Sequence, residues 1–356
     1  MTPFVKIEPS ASIGYVLKIV NLYKGFGSTD KDMNIAIFTG GDSSEHVISM
    51  KSAGQVKNWL EAAGHTCYTV EVRGADWKVR LGDKHVPLDK NSLGFEGNQG
   101  PVKVDFVWNT IHGTPGEDGK LQGCFDMMGI PYSSSNHLSS ALTFNKYTCK
   151  SFLKQHKILT PEASLVRKNL ETDLEAVAEM VGLPCFVKPN SGGSSFGIAK
   201  VVRFEQLQPA LNEALREDQE AIVERYIKGK EVTCGLMKSR KGFTVFPITE
   251  IVSKNEFFDY EAKYTEGKAD EITPARISKP LEKKCTELAK NIYNLTNSSG
   301  IIRVDFIIKG NQLYFLELNS IPGMSKESII PKQVACMDEK MEDLMQQVID
   351  YALYSR

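Results

Sequence analysis

Arg303-Val304-Asp305 and Glu317-Leu318-Asn319 lie in two apolar, strand-like runs joined by a short turn at Gly310, and Ile321-Pro322-Gly323-Met324 follows directly. Residues two apart on a strand face the same side, so Arg303 and Asp305 point together, as do Glu317 and Asn319. Carboxylates in such apolar company are costly unless a cation compensates them, and hard oxygen donors suit magnesium. An Arg-Asp pair beside a Glu on a solvated sheet face is the alternative reading of this hairpin. If Asp305 and Glu317 share a metal from directly opposed positions, pairing parity calls for an odd-numbered loop such as Gly310-Asn311-Gln312. A two-residue turn without a bulge would place them on opposite faces.

Two further segments could hold a nucleotide. The decapeptide from Lys188 to Gly197, KPNSGGSSFG, lacks the order of a P-loop. It still sets a lysine at a strand end beside a glycine-rich tip whose N–H groups can approach phosphates; a plain mobile hairpin is the alternative. Ile222-Val223-Glu224-Arg225-Tyr226-Ile227 leads through a bend to Glu231. Backbone groups at such a bend can hydrogen-bond an adenine edge while Glu231 accepts from ribose hydroxyls. Ordinary surface acids are the competing reading.

The elements that must position these residues follow an α/β pattern from Met33 onward. A buried strand at 34–39, a Gly40-Gly41 turn, a helix at 47–63 stopped by Gly64 and a strand at 66–72 predict a right-handed parallel unit, with ligands at the strands' carboxyl ends. A strand at 102–109 delivers the loop His112-Gly113-Thr114-Pro115-Gly116-Glu117-Asp118-Gly119 to that end. The spacing then predicts a helix over 139–156, a helix over 173–181, a strand at 185–188 paired through the glycine-rich tip with one near 198, and a strand at 221–224. Strands at 232–237 and 244–251, a helix over 280–295, the hairpin described above and a helix over 339–354 complete the chain. Residues 1–32, with Gly25-Phe26-Gly27-Ser28-Thr29-Asp30 before a second methionine, are expected to be a leader, tag or overextended start outside the fold.

Length and composition narrow the class. A chain of 356 residues with 41% hydrophobic content is long enough for two or three packed domains. A formal net charge of −1 provides no overall basic surface for coating nucleic acid or an anionic membrane. Seven scattered cysteines without a Cys-x-x-Cys pair argue for reduced thiols rather than a zinc site or disulfide framework. The start lacks a secretory signal and no run is long enough to cross a bilayer, so a cytoplasmic protein is expected.

Taken in order, Thr39-Gly-Gly-Asp-Ser-Ser-Glu45-His46, the loop from His112 to Gly123, the Lys188 to Gly197 loop, Tyr260-Glu-Ala-Lys263-Tyr264, Arg303-Val-Asp305 and Glu317-Leu-Asn-Ser-Ile-Pro-Gly-Met324 resemble the D-alanine-D-alanine ligases of the ATP-grasp superfamily. The resemblance spans Met33 to the C-terminus. It implies an α/β, overall α+β, ATP-grasp fold with an N-terminal Rossmann-like parallel-sheet domain over 33–133, a central subdomain over 134–226 and a C-terminal subdomain over 227–356.

It further implies a reaction in which ATP phosphorylates the carboxylate of one D-alanine and the amine of a second attacks the acyl phosphate, giving a dipeptide for peptidoglycan. Asp305, Glu317 and Asn319 would hold magnesium or manganese, two ions in all. Lys146 and Lys188 would hold phosphates, Ser194 and Ser195 would close over them, and Glu224, the Arg225-Tyr226-Ile227 backbone, Glu231 and Lys263 would complete the ATP site. Glu45 would pair with the first ammonium, His112 would sit near the first carboxylate, and Ser328 would bind the second carboxylate. Arg303 and the Gly323 N–H would stabilise the oxyanion, and Tyr264 would link Glu45 with Ser194. Tyr264 favours an amine acceptor over D-lactate, while the uncharged Asn190-Ser191-Gly192-Gly193 stretch departs from the more charged loop common in the family. A homodimer is implied. The competing readings are another ATP-grasp carboxylate-amine ligase, including a D-alanine-D-lactate enzyme, and a nucleotide-binding regulatory module. A nicotinamide oxidoreductase is disfavoured because no G-x-G-x-x-G follows the first strand.

Overall fold

The computed structural model describes residues 32–193, 196–253 and 269–355. The expected leader, Ser194, Ser195, Lys263 and Tyr264 lie outside the described residues.

The first sheet grows from β1 (Asn34–Gly40), whose residues are almost all buried, as a strand covered on both faces must be. It lies parallel between β2 (Thr66–Arg73) and a later strand at Phe106–Asn109. Helix α1 (His46–Ala62) makes the crossover and ends before Gly64, whose φ of +94° suits the left-handed stop. Gly40 and Gly41 also have positive φ, and a Cβ on Gly40 would come within 2.7 Å of the Val72 carbonyl oxygen. This turn therefore needs glycine, and it delivers Glu45 to the carboxyl end of the sheet. Strands β3 (Asp76–Leu81) and β4 (Lys84–Pro87) extend the sheet beyond β2, giving the order β4-β3-β2-β1-β7, where β7 is Phe106–Asn109.

The expected strand at 102–109 is in fact two. Gly94–Gly97 (β5) and Gly100–Lys103 (β6) form a separate hairpin, and the chain enters β7 through Asp105. Asp105 exchanges hydrogen bonds with the backbone of Asn34, its N–H reaching Asn34 O at 2.9 Å and its carboxylate taking the Asn34 N–H at 2.9 Å. That tie starts a new strand where hydrophobic pattern alone shows a continuous one.

After α2 (Lys120–Met128), the expected helix over 139–156 is also divided, into α3 (His137–Phe144) and α4 (Lys146–Gln155). Asn145 leaves helical geometry, and its side-chain oxygen accepts the Thr148 N–H at 2.9 Å, capping α4. The second sheet has the order β10-β9-β11-β8, formed by Ala163–Arg167 (β8), Cys185–Pro189 (β9), Ala199–Val201 (β10) and Glu220–Arg225 (β11). Strands β9 and β10 pair antiparallel, making the glycine-rich hairpin expected from sequence. Helices α5 (Leu174–Val181) and α6 (Leu207–Glu217) bury their apolar faces against this sheet.

The third sheet is built on β12 (Lys230–Ser239), which pairs with β13 (Gly242–Val245), β14 (Thr249–Ser253) and β16 (Ile302–Lys309). The expected single strand at 244–251 is split at Pro247, which has no N–H to give a ladder. Ala269–Ile272 (β15) flanks β14, and β17 (Gln312–Asn319) pairs with β16 beyond it. Helix α7 (Lys279–Leu295) packs on this sheet. After a short α8 (Ile329–Val334), α9 (Met341–Tyr354) inserts Leu344, Val348 and Ile349 into a core shared with Ile35, Ile37, Phe106 and Trp108 of the first sheet and Met237 and Phe246 of the third.

Candidate active site

The β16-β17 hairpin sets Asp305 directly opposite Glu317 and Arg303 opposite Asn319. The route differs from the odd-numbered loop expected from sequence. Lys309 pairs with Gln312, leaving a two-residue Gly310-Asn311 turn, and the register shifts between Asp305 and Phe306. Phe306 pairs with Phe315, so Leu316 is an extra residue in β17 without a Cα partner in that ladder. The bulge restores the parity that the turn alone would lose.

Asp305 is 6% exposed. Arg303 grips it through two hydrogen bonds of 2.9 and 2.8 Å, the Asn319 amide donates at 3.1 Å, and the Thr233 hydroxyl donates to the same carboxylate from the neighbouring strand. Glu317 lies 3.7 Å from the Lys146 ammonium, which also donates to the Gly192 carbonyl of the glycine-rich hairpin. Lys146 opens α4, and its own N–H donates to Asn190 O at 2.9 Å. One lysine thus joins the acidic hairpin to the glycine-rich hairpin.

Lys188, on β9, forms a 2.7 Å ion pair with buried Glu224 of β11, its register neighbourhood across the sheet. Burial alone would lower the Lys188 pKa, but the charges of Glu224, Glu317 and Glu231 outweigh it and hold the ammonium above its ordinary value. Acids from β11, β12 and β17 thus act on one lysine. Glu224 is only 2% exposed; its second oxygen is held by Lys150, and the two ammonium groups overcome burial to keep it ionised. The Arg225 side chain is committed to the Val181 and Met180 carbonyls, to which it donates at 2.7 and 3.0 Å. The Tyr226 ring receives the Lys200 ammonium 4.9 Å above its centre.

At the other end, Glu45 is buried beneath two loops. A Cβ on Gly193 would come within 2.7 Å of its carboxylate and one on Gly113 within 3.3 Å, so both glycines allow close approach. His112 Nε2 lies 3.4 Å from the Ser52 hydroxyl, which accepts the Met324 N–H at 3.2 Å. The His112 N–H donates to Ser49 Oγ at 3.0 Å. Burial, and to a smaller extent the Arg303 charge, lowers the His112 pKa against the opposing pull of Glu45. Ser328 precedes α8 at the N-cap position without a side-chain capping bond; its hydroxyl lies 2.9 Å from Ser325 Oγ, and a Cβ on Gly323 would come within 2.8 Å of it. The structure therefore brings Glu45, His112, Lys146, Lys188, Glu224, Arg303, Asp305, Glu317, Asn319, Gly323 and Ser328 into one connected set.

Family models for the N-terminus and the C-terminus of D-Ala-D-Ala ligase match residues 34–135 and 153–350. A D-alanine-D-alanine ligase of Bacteroides fragilis strain YCH46 is 46% identical over 319 residues, covering 89% of this chain and 98% of that protein. The chain belongs to the D-alanine-D-alanine ligase family. A D-alanine-D-alanine ligase of Flavobacterium johnsoniae is 44% identical, with 90% of this chain and 99% of that one covered. Among solved structures, the VanG D-Ala:D-Ser ligase from Enterococcus faecalis superposes with a TM-score of 0.80 at 30% identity, covering 90% of this chain and all of that one. A ligase of the same family from Bacillus anthracis complexed with ATP gives 0.73 at 26% identity, over 91% and 98% of the two chains. The fold is thus that of the ATP-grasp D-alanine ligases.

Three residues of this ligase-family site escaped the sequence reading. Glu117 folds back so that its carboxylate accepts the Gly113 N–H at 2.8 Å, beside Glu45. Its signal was present, as an acid inside the His112 loop. Lys150 stands one helical turn after Lys146, a spacing that places both on one face of α4. Thr233 becomes visible only through its register opposite Asp305.

Proposed function

We propose that this protein joins two D-alanine molecules at the expense of ATP, forming D-alanyl-D-alanine for peptidoglycan. The arrangement that carries the reading is the direct opposition of Asp305 and Glu317 beside two phosphate-facing lysines, with Glu45 buried at the far end of the same set. Asp305, Glu317 and Asn319 supply hard oxygen atoms that fit magnesium or manganese; among the described residues no group of three or more His, Cys, Asp or Glu forms a complete cage. The remaining ligands would be ATP oxygens or water. Held there, the metal, taken as two ions, would offset the triphosphate charge and favour phosphoryl transfer.

Glu45 accepts the ammonium of the first D-alanine, and His112 lies near its carboxylate. That carboxylate attacks the γ-phosphorus, releasing ADP and leaving an acyl phosphate. Lys146 and Lys188 hold the phosphates, and Glu224, the backbone of 225–227 and Glu231 form the remainder of the ATP site, to which Ser194, Ser195 and Lys263, outside the described residues, are also assigned. The second D-alanine, its carboxylate at Ser328, attacks the acyl carbon through its amine. Arg303 and the Gly323 N–H stabilise the resulting oxyanion, and phosphate leaves. Tyr264, outside the described residues, is assigned the link between Glu45 and Ser194 that favours an amine acceptor.

Domain divisions at 33–133, 134–226 and 227–356, a homodimer and a cytoplasmic setting go with this function. No helix among the described residues is long and apolar enough to span a membrane. The intermediate has a direct test. D-alanine labelled with ¹⁸O in its carboxyl group should deliver one labelled oxygen to inorganic phosphate for each dipeptide; unlabelled phosphate would exclude the acyl phosphate. Offering D-serine and D-lactate as acceptors would then establish whether D-alanine is preferred.

A further inference from the structure

Lys150 is 4% exposed and stands between two parts of the site that different sheets supply. Its ammonium donates to Glu224 on β11, whose other oxygen is paired with Lys188. It also donates to the carbonyl of Leu316, at 2.5 Å. Leu316 is the extra residue of the β17 bulge, the feature that places Glu317 rather than its neighbour opposite Asp305. The adjacent Phe315 N–H is held by the Leu159 carbonyl at 2.8 Å, and the Phe315 ring lies 5.9 Å from the same ammonium. The segment following α4 and the lysine on α4 therefore secure consecutive groups of the bulge.

A buried ammonium needs charge and hydrogen-bond partners, and these are supplied by one group from each end of the cleft. We propose that Lys150 is a positioning residue that ties the base end of the ATP site to the register of the metal hairpin, so that nucleotide and metal affinity depend on one side chain. The inference rests on the ATP and metal assignments of the proposed function. It adds a residue that touches neither ligand but holds Glu224 and the bulge carbonyl in place.

The full-length chain and its Lys150→Met and Lys150→Arg variants provide the test, by calorimetric titration of ATP with magnesium and by magnesium titration at fixed ATP. Lys150→Met should weaken both affinities together by about tenfold or more, the scale seen when support behind a metal ligand is removed. Lys150→Arg, which keeps the charge in a wider planar group, should restore part of both losses. The KM for D-alanine at the Glu45 end should stay within about twofold, a split that general loosening of the fold would not produce. A folded Lys150→Met chain with only one affinity changed, or neither, overturns the proposal. If that variant does not fold, Lys150→Arg decides: a paired loss of about threefold or more supports the link, and a smaller or single loss overturns it. The two titrations need no turnover, so a wild-type chain that binds magnesium and ATP but makes no dipeptide would defeat the D-alanine assignment and leave their result standing.

Discussion

Burial and the Glu45 charge push the Glu117 carboxyl from an ordinary 4.5 up to about 8. The folded chain therefore holds this proton across a range in which the unfolded chain has released it. That contribution to stability is complete below the unfolded pKa of 4.5 and is lost as pH rises through the folded value of about 8. Glu117→Gln cannot ionise, so its melting temperature should fall less steeply than the wild type's over this interval, as scanning calorimetry at several pH values would show. An identical pH dependence in both proteins would contradict the assigned burial. Arg303 commits two N–H groups to Asp305 and is assigned to the oxyanion as well. Arg303→Ala should lower kcat by about 10²- to 10³-fold, the range for losing a preorganised oxyanion donor. ATP binding measured separately should change much less; an equal loss in both would make Arg303 a support for the metal ligands alone.

Asn145 divides two helices and starts the one that carries Lys146 and Lys150. Asn145→Ala should cost about 1 kcal/mol of stability through the lost cap. It should also raise the KM for ATP, because Lys146 is anchored to Asn190 of the phosphate loop at this point; thermal melts and initial-rate kinetics test the two effects. The break at Asn145 also shows why part of the fold was not legible in the sequence. The apolar spacing of 139–156 continues through the site, whereas the Asn145 cap on Thr148 is a local polar contact that apolar spacing does not register and the isolated bridge to Ser191 is made across space. Pro247 and Asp105 interrupt their expected strands for comparable reasons, a missing donor and a tie to Asn34. The β1 turn was readable because Gly40-Gly41 lies between a continuous apolar run and a periodic helix. The opposition of Asp305 and Glu317 was foreseen only as a condition tied to an odd-numbered loop, and the bulge that produces it instead was not legible. No local residue preference marks Leu316, and its carbonyl is held by Lys150, 166 residues away in the chain.

Across the whole molecule, residues of three regions meet at the cleft, while α9 shares a core with the first and third sheets. A ligand set that joins these regions should stabilise them together, by RT ln(1 + [L]/Kd), or about 2.7 kcal/mol at 100 times Kd. Magnesium and ATP added together should therefore raise the melting temperature more than the sum of their separate effects; simple additivity would contradict shared use of Asp305 and Glu317. The ordered sequence motifs made the family legible, since each carries chemistry with a fixed place in the chain. The internal pairing of Glu224 with two lysines, by contrast, depends on a register between strands that no motif records. Phosphoryl transfer from ATP is coupled to joining two D-alanines. Incubation of the purified chain with magnesium, ATP and D-alanine, with ADP and D-alanyl-D-alanine quantified in the same samples, tests it most directly. Equal amounts of the two products are predicted; ADP accumulating without dipeptide would contradict it.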